Sequence, residues 1–233
     1  MLFSNSIDSL PSNIIFDGTP LEEVTNIKFL GITVDNKLSW KSHIDNLCKI
    51  VSRNCGVLNK LKSHIPTNIL FMLYSSLILP YLTYGILIWG NTYQTSLDRL
   101  LLLQKKCIRI LCNCGMYSHC DPLFIENKIL KIRELYLFQI GQFMFNYSHN
   151  NLPQVFDSMF PKNFSLHKYP TRQSNEYHLP LLRTVKAKST FIFSGPKFWN
   201  SLPDDIKTAP SISSFKYKLK EFLLKSYTVP QNF

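Results

Sequence analysis

The sequence is short of acidic residues, with 15 Asp and Glu against 26 Lys and Arg, and its formal net charge is +11. Residues 1–50 carry four basic against six acidic residues, residues 51–120 seven against one, and residues 121–233 fifteen against eight. The basic excess therefore begins after residue 50. A basic surface favours a polyanionic partner, and nucleic acid is the usual one. The alternative is that the charge serves solubility and has no ligand.

The usual signatures of catalysis are missing as well. No Gly-rich segment has the spacing of a phosphate-binding loop, and no Ser/His/Asp or Cys/His set has a meaningful spacing. The only adjacent aspartates are Asp204 and Asp205, which follow Pro203. We expect them to begin a helix, whose N-terminus favours acidic residues, rather than to bind divalent ions. The sequence predicts no catalytic residue, no metal site and no cofactor of its own.

The N-terminus lacks the basic start and the long apolar core of a secretory signal. We therefore expect an intracellular, not secreted, protein with reduced thiols, in a compartment that the sequence leaves unknown. Four of the six cysteines and His119 fall between residues 107 and 120, which raises the question of zinc. One residue separates Cys112 from Cys114, and His119 is adjacent to Cys120, so tetrahedral ligation would be awkward. The preferred alternative is that Cys107 and Cys112 face the core from a helix.

Residues 69–89 contain no Lys, Arg, Asp or Glu and are long enough to span a bilayer. Pro80 lies in the middle of this stretch, and several hydroxyl-bearing residues lower its hydrophobicity. A stretch broken by proline favours a pair of buried helices over a membrane span. A small protein anchored in a membrane through residues 69–89 is the alternative.

Residues 1–34 predict short β-strands. The run Asp-Gly-Thr-Pro at residues 17–20 predicts a turn, because Gly tolerates positive φ and Asp caps locally. Gly31 falls in a predicted strand, where it would permit a bulge or a close backbone approach. Together the strands would form a small antiparallel meander, too thin to be stable alone. The predicted strands cover residues 1–3, 13–16 and two short runs between residues 24 and 34.

From residue 39 onward, apolar residues recur at three- and four-residue steps, which is typical of amphipathic helices. Ser39 and Asn68 are the predicted N-caps of the first two helices, and Pro80 is expected to break or kink the second. The predicted fold class is α+β, with short antiparallel strands followed by a mostly α-helical remainder and a loop-rich stretch at residues 147–190. The predicted helices cover about residues 40–61, 68–79, 96–111, 129–146 and 213–226, with a further apolar segment at residues 81–89.

The basic residues fall into two groups, one on the predicted helix at residues 96–111 and one among aromatic residues towards the C-terminus. Phosphates bind Lys and Arg, and unstacked bases stack on aromatic rings, so this mixture favours a nucleic-acid partner. The alternative is that the aromatic rings fill a core and the charges are merely solvated. The predicted basic contacts are Lys105, Lys106, Arg109, Arg172, Arg183, Lys186, Lys188 and Lys197.

Four phrases occur along the chain: FLGITVDNKLSWKSHI at residues 29–44, LILPYLTYGILIWG at 77–90, LQKKCIRI at 103–110 and GPKFWNSLP at 195–203. Each alone would be a weak signal. Together, and in this order, they resemble the phrases that follow the catalytic aspartates in the reverse transcriptases of jockey-like non-long-terminal-repeat retrotransposons. The resemblance covers nearly the whole chain.

The resemblance implies a division of the chain into three parts. Residues 1–38 would be the last strands of the palm, residues 39–115 a helical thumb that packs on the product duplex, and residues 116–233 the C-terminal region. In this family the primer end lies close to the residues that match Phe29, Leu30 and Gly31. The implied partner is RNA or an RNA–DNA hybrid, together with the missing palm and fingers of the parent polymerase.

The parent enzyme would be an RNA-directed DNA polymerase that uses Mg²⁺. The family's metal-binding palm motifs, fingers and endonuclease are not found in these residues. We therefore expect a truncated remnant that is not an enzyme as it stands and that retains nucleic-acid binding at most. An initiator Met within a palm strand suggests a decayed element, so a non-functional gene product is a further alternative.

Overall fold

Two β-hairpins form the N-terminal part of the structure, a computed structural model that describes residues 15–20, 22, 24–166 and 173–227. Strand β1 (Ile15–Phe16) pairs with β2 (Thr19–Pro20), and the turn between them has positive φ at Asp17 and Gly18. The predicted turn is therefore confirmed at Asp17 and Gly18, with the φ signs that a tight two-residue hairpin requires. Thr19 and Pro20, which were predicted as part of the turn, belong to β2 instead. The predicted strand at residues 1–3 lies outside the described residues.

The second hairpin pairs β3 (Asn26–Phe29) with β4 (Ile32–Asp35), and it turns at Leu30 and Gly31. The prediction that Gly31 lies within a strand is wrong, because its φ of 83° belongs to the turn. The predicted meander is also wrong. Among the described residues the two hairpins are separate two-stranded sheets, since no backbone pairing joins β2 to β3.

The rest of the described chain is mostly helical, which confirms the predicted α+β class. The long predicted helices are present within a few residues of their expected bounds. The helices are α1 (Lys41–Leu61), α2 (Thr67–Leu77), α3 (Leu79–Thr83), α4 (Ile86–Trp89), α5 (Gln94–Leu111), α6 (Asp121–Glu126), α7 (Ile132–Ser148), a 3₁₀ turn (Gln154–Phe156), α8 (Asn163–Leu166), α9 (Val185–Lys188), α10 (Phe191–Ser201), α11 (Asp204–Lys207) and α12 (Ile212–Lys225).

Several of these elements were not predicted: the 3₁₀ turn, α8 and α9 lie in the stretch predicted to be loop-rich, and α6 and α10 lie outside it. Helix α6 is short, and its six residues span fewer than two turns of periodic pattern. Helix α10 contains Gly195 and Pro196, which usually indicate a loop. Both residues are buried, and a Cβ at Gly195 would lie 3.3 Å from Met144 Sδ, so close packing against α7 decides the conformation.

Helix α7 lies at the centre of the helical packing and contacts α3, α4, α5, α10 and α12. Its apolar residues are distributed around the helix for this reason, in contrast to α1 and α5, which each bury one stripe against the other. Gln104 of α5 is fully buried, and its Nε2 donates to Tyr74 Oη at 3.1 Å and to the Leu130 carbonyl at 2.8 Å. Gln104, the Gln of the phrase LQKKCIRI, therefore links α5 to α2 and to the segment before α7.

The uncharged stretch at residues 69–89 does not form one continuous helix. The backbone leaves the helical region at Ile78, and Pro80 occupies the first turn of α3, so the predicted break is confirmed. Ile78, Leu82 and Ile86 are buried in the core. Within the described part of the chain, no helix combines the length and the apolar character needed to cross a bilayer.

The N-caps predicted at Ser39 and Asn68 are wrong. Asn68 lies inside α2, which begins at Thr67 after Pro66. Helix α1 begins after Trp40, which occupies the N-cap position, and the Trp40 side chain makes no capping hydrogen bond to the helix. The helix predicted to begin at Asp204 and Asp205 is confirmed as α11.

Candidate nucleic-acid interface

The carboxylate of Asp35 fixes the junction between the second hairpin and α1. Its oxygens accept hydrogen bonds from the backbone N–H groups of Lys37, Ser39 and Trp40 at 3.1, 3.0 and 2.8 Å. Burial acts to raise the pKa of Asp35, but the N–H donors outweigh it and hold the pKa below its usual value. Asp35 thus holds the residues just before α1, while Ser39 Oγ accepts from the Lys41 N–H at 3.4 Å.

His43, on the first turn of α1, is 5% exposed. Its Nδ1 accepts a hydrogen bond from the Thr33 backbone N–H at 3.3 Å, and its ring meets Trp89 edge-on with ring centres 5.5 Å apart. Its Nε2 has no partner among the described residues. Burial lowers the pKa of His43. The neutral ring therefore ties the outer edge of β4 to the helix.

The first two phrases of the resemblance meet at this junction. Tyr84 Oη donates to the Leu30 carbonyl at 2.7 Å. Gly85 has a φ of 61°, and a Cβ at this position would overlap Ile32 Cδ1. Tyr84 and Gly85, from the second phrase, therefore hold the hairpin in place.

The three predicted residues at the tip of the hairpin lie side by side in the structure. Phe29 is 65% exposed, Leu30 is 72% exposed and Gly31 is exposed. Leu30 has a φ of 45°, a conformation that bulky side chains rarely adopt and that costs roughly 1 kcal/mol. Exposed apolar residues in a strained backbone are typical of a contact surface rather than of internal packing.

The three basic residues of the predicted helix at residues 96–111 share the outer side of α5. Lys106 is exposed, whereas Lys105 and Arg109 are half-buried. Arg109 Nε donates to the Ser118 carbonyl at 3.0 Å, so part of its donor capacity already closes the loop that follows α5. Lys105 and Lys106 carry no salt bridge to another described residue.

Helix α1 carries a second basic surface, which the sequence analysis missed. Lys49, Arg53 and Lys60 recur at steps of four and seven residues, which places them on one side of the helix, and all three are exposed. We call these three residues the α1 stripe. A Cβ at Gly56, between them, would meet nothing within 4 Å, so this side is open. The helical spacing of the three charges was the available signal.

Among the residues that the structure describes, no acidic side chain forms a salt bridge with the α1 stripe. Asp45 is the only acidic residue of α1, and it is paired with Arg99 of α5. Because β4 packs on α1 and α1 packs on α5, the hairpin, the stripe and the basic side of α5 belong to one packed unit.

The C-terminal group of predicted contacts is only partly described. Arg183, Lys188 and Lys197 are exposed. Arg172 lies outside the described residues, and Lys186 lies in α9 with a side chain that is likewise outside the description. Two of the aromatic residues expected to alternate with them, Tyr177 and Trp199, are 4% and 7% exposed and fill the core. For these two rings the alternative, in which aromatic residues fill the core, is confirmed.

The described residues do not fit a site for the Mg²⁺ that a polymerase would use. No group of three or more His, Cys, Asp or Glu residues lies close enough to hold a metal ion within the described ranges. The side chain of Asp204 is 93% exposed and pairs with Lys207 at 3.4 Å. Cys107, from the cysteine cluster, is fully buried on α5, and Cys112 is half-buried.

Comparisons with known proteins find similarity to retrotransposon polymerases. The chain is 28% identical over 137 residues to the RNA-directed DNA polymerase from mobile element jockey of Drosophila melanogaster, over 56% of this chain and 14% of that protein. It is 27% identical over 137 residues to the probable RNA-directed DNA polymerase from transposon BS, over 55% of this chain and 15% of that protein. The similarity to the probable polymerase from transposon X-element is 22% over 126 residues.

These relatives confirm the resemblance to jockey-like polymerases, but the match covers about 55% of the chain and not nearly the whole of it. The match spans only about a seventh of the length of each relative. No protein-family model matches the chain, and no solved structure shows a significant match.

Proposed function

We propose that this chain is a nucleic-acid-binding, non-catalytic part of an RNA-directed DNA polymerase of the jockey kind. The observation that carries this proposal is the α1 stripe, three exposed basic side chains on one side of the first long helix that form no salt bridge with any described residue. The similarity to curated polymerases supplies the class of partner, which is RNA or an RNA–DNA hybrid.

The geometry of the stripe suits a phosphate backbone. At a rise of about 1.5 Å per residue, Lys49 and Arg53 lie about 6 Å apart along the axis of α1, and Lys60 lies about 10 Å further on. Phosphates attract such charges irrespective of sequence, and each neutralised phosphate releases counterions. Gly56 has no side chain between the charges, so it leaves room for a close approach of the helix to its ligand.

The other predicted contacts extend this surface. Lys105, Lys106 and Arg109 bind phosphate from α5, which packs directly on α1. Phe29, Leu30 and Gly31 contact the primer end from the tip of the hairpin, where their exposure leaves them accessible. The proposal that this segment is not catalytic is supported by Asp204 and Asp205. They are the only adjacent aspartates in the sequence, and they begin a surface helix.

The experiment is to measure the affinity for a fluorescent RNA–DNA hybrid across a salt series. The slope of log affinity against log salt counts the phosphate contacts. Arg53→Gln is expected to reduce this slope by about one, and the triple variant K49Q/R53Q/K60Q by about three.

Lys216→Gln is the matched control, since it removes one exposed charge from α12, on a different part of the surface. It should leave the slope unchanged. Equal effects of Arg53→Gln and Lys216→Gln would show that only net charge matters and would remove the stripe from the proposal. A folded wild-type chain with no salt-dependent affinity would end the proposal altogether.

A further inference from the structure

We propose that the loop after α5, residues 112–120, is a stacking site for an unpaired nucleobase, with Tyr117 as the platform. Nothing in the four phrases or in the predicted contacts assigns a role to this loop. The inference rests on the proposed function and specifies it, because it adds a single-stranded class of ligand to the phosphate-binding surface.

The observation behind this proposal is the exposure of the loop. Tyr117 is 96% exposed and the neighbouring Met116 is 74% exposed. An aromatic ring in this position has both faces open to solvent, and a ring face is what an unpaired base needs for stacking. A base within a duplex has its faces covered by its neighbours, so the geometry favours a single strand or an unpaired end.

The loop is held against the basic side of α5. Arg109 Nε donates to the Ser118 carbonyl at 3.0 Å, and the Cys114 N–H donates to the Arg109 carbonyl at 2.9 Å. Cys120 Sγ donates to the Lys105 carbonyl at 3.8 Å. Both ends of the loop are therefore tied to the turns of α5 that carry the basic residues.

Charge and stacking are combined at this site. Tyr117 is adjacent in sequence to Ser118, whose carbonyl accepts a hydrogen bond from Arg109 Nε, so the backbone that carries the ring lies one residue from that charge. Residues 112–120 contain no Asp or Glu. A strand whose phosphates lie along Lys105 and Lys106 could therefore place one unpaired base on the ring. Basic residues that follow the backbone, combined with aromatic rings that stack the bases, are the usual means of binding single strands.

The experiment uses the full chain and a single-stranded RNA of about ten nucleotides that contains one 2-aminopurine, whose fluorescence falls when it stacks. Tyr117→Ala is expected to weaken binding about fivefold or more and to abolish the fluorescence change. Its salt slope should match that of the wild type, because no charge has been removed. Tyr117→Phe keeps the ring and should bind as the wild type does.

Tyr93→Ala is the matched control. Tyr93 is 70% exposed at the opposite end of α5, about 27 Å away along an 18-residue helix. It should leave the affinity and the fluorescence change unaltered. The binding of a blunt RNA–DNA hybrid should be insensitive to Tyr117→Ala, since all of its bases are paired.

Two failures are distinguishable. If the wild type binds the single strand and Tyr117→Ala binds it equally well, the stacking site is wrong and the phosphate-binding surface stands. If the folded wild type binds neither the single strand nor the hybrid, the proposed function is wrong, and the stacking site is wrong with it.

Discussion

The imidazole of His43 and the backbone of Thr33 share a hydrogen bond in which Nδ1 must be the acceptor, at 3.3 Å. A ring protonated on both nitrogens would place a second donor against the Thr33 N–H, and its positive charge would be buried beside Trp89. The contact that holds β4 to α1 therefore depends on a neutral histidine.

This dependence predicts an acid-sensitive hairpin. Burial lowers the pKa of His43 in the folded chain from its ordinary value of 6.5, so the unfolded chain takes up the proton more readily. The stabilisation is complete above pH 6.5 and is lost as the pH falls through the lower, folded-state pKa. Urea unfolding at about pH 7.5 and 5.5 should show a larger loss of unfolding free energy for the wild type than for His43→Gln. Equal losses would contradict the prediction.

Asp35→Ala should be strongly destabilising. The substitution leaves the backbone N–H groups of Lys37, Ser39 and Trp40 without their acceptor, which costs roughly 2–4 kcal/mol of unfolding free energy. The measurement is chemical denaturation at neutral pH. Asp98→Ala is the control, since the Asp98 carboxylate accepts from Gln94 at the surface of α5 and its loss should cost less than about 1 kcal/mol. A similar cost for both variants would argue against an anchoring role for Asp35.

Two glycines should respond in opposite directions to alanine. Gly85 has positive φ, and a Cβ there would overlap Ile32, so Gly85→Ala should lower the unfolding free energy by about 2 kcal/mol or more. Gly56 lies within α1 with nothing near its missing Cβ, so Gly56→Ala should raise the unfolding free energy by roughly 0.5–1 kcal/mol. The measurement is thermal denaturation of both variants, and each variant serves as the control for the other. An unchanged or raised unfolding free energy in Gly85→Ala would show that the close approach at Gly85 is not important.

Tyr227 should be needed to hold the C-terminal helix. Its hydroxyl accepts from the Lys131 N–H at 2.9 Å and donates to Glu134 Oε2 at 3.2 Å, just beyond the end of α12. Tyr227→Phe leaves both partners unsatisfied and should cost about 1–3 kcal/mol of unfolding free energy. Tyr217→Phe, at a residue that is 65% exposed on the same helix, should be neutral. Faster hydrogen exchange in α12 of Tyr227→Phe alone would locate the effect.

The elements predicted correctly are those whose pattern is local. The apolar stripe of α1 buries Ile44, Val51 and Leu58 as its spacing requires, and Asp17 with Gly18 makes the turn that their backbone preferences favour. The predictions that failed depend on distant residues. Ser39 looks like the N-cap in sequence, but the N-cap position is Trp40, and the junction before α1 is held by Asp35, which accepts from the Trp40 N–H.

The residues of the candidate site also divide into those that a local pattern predicts and those that depend on distant residues. Basic residues on α5 could be placed on one side of a helix from their spacing, and the α1 stripe could have been found in the same way. The exposure of Tyr117 could not be predicted, because an aromatic residue in a loop is as often buried as open. Tyr177 illustrates the other outcome, since it also lies outside the helices and is 4% exposed.

The sequence by itself determined the α+β class, the main helices, the basic character and the resemblance to jockey-like polymerases, because periodicity, charge and ordered phrases are properties of the chain. Tertiary structure alone decided which phrase residues are structural and which surfaces are open. Asp35, His43 and Gly85 are committed to internal contacts with partners on other elements. Burial and hydrogen bonding depend on residues far apart in the chain, so they are fixed only once the helices have packed.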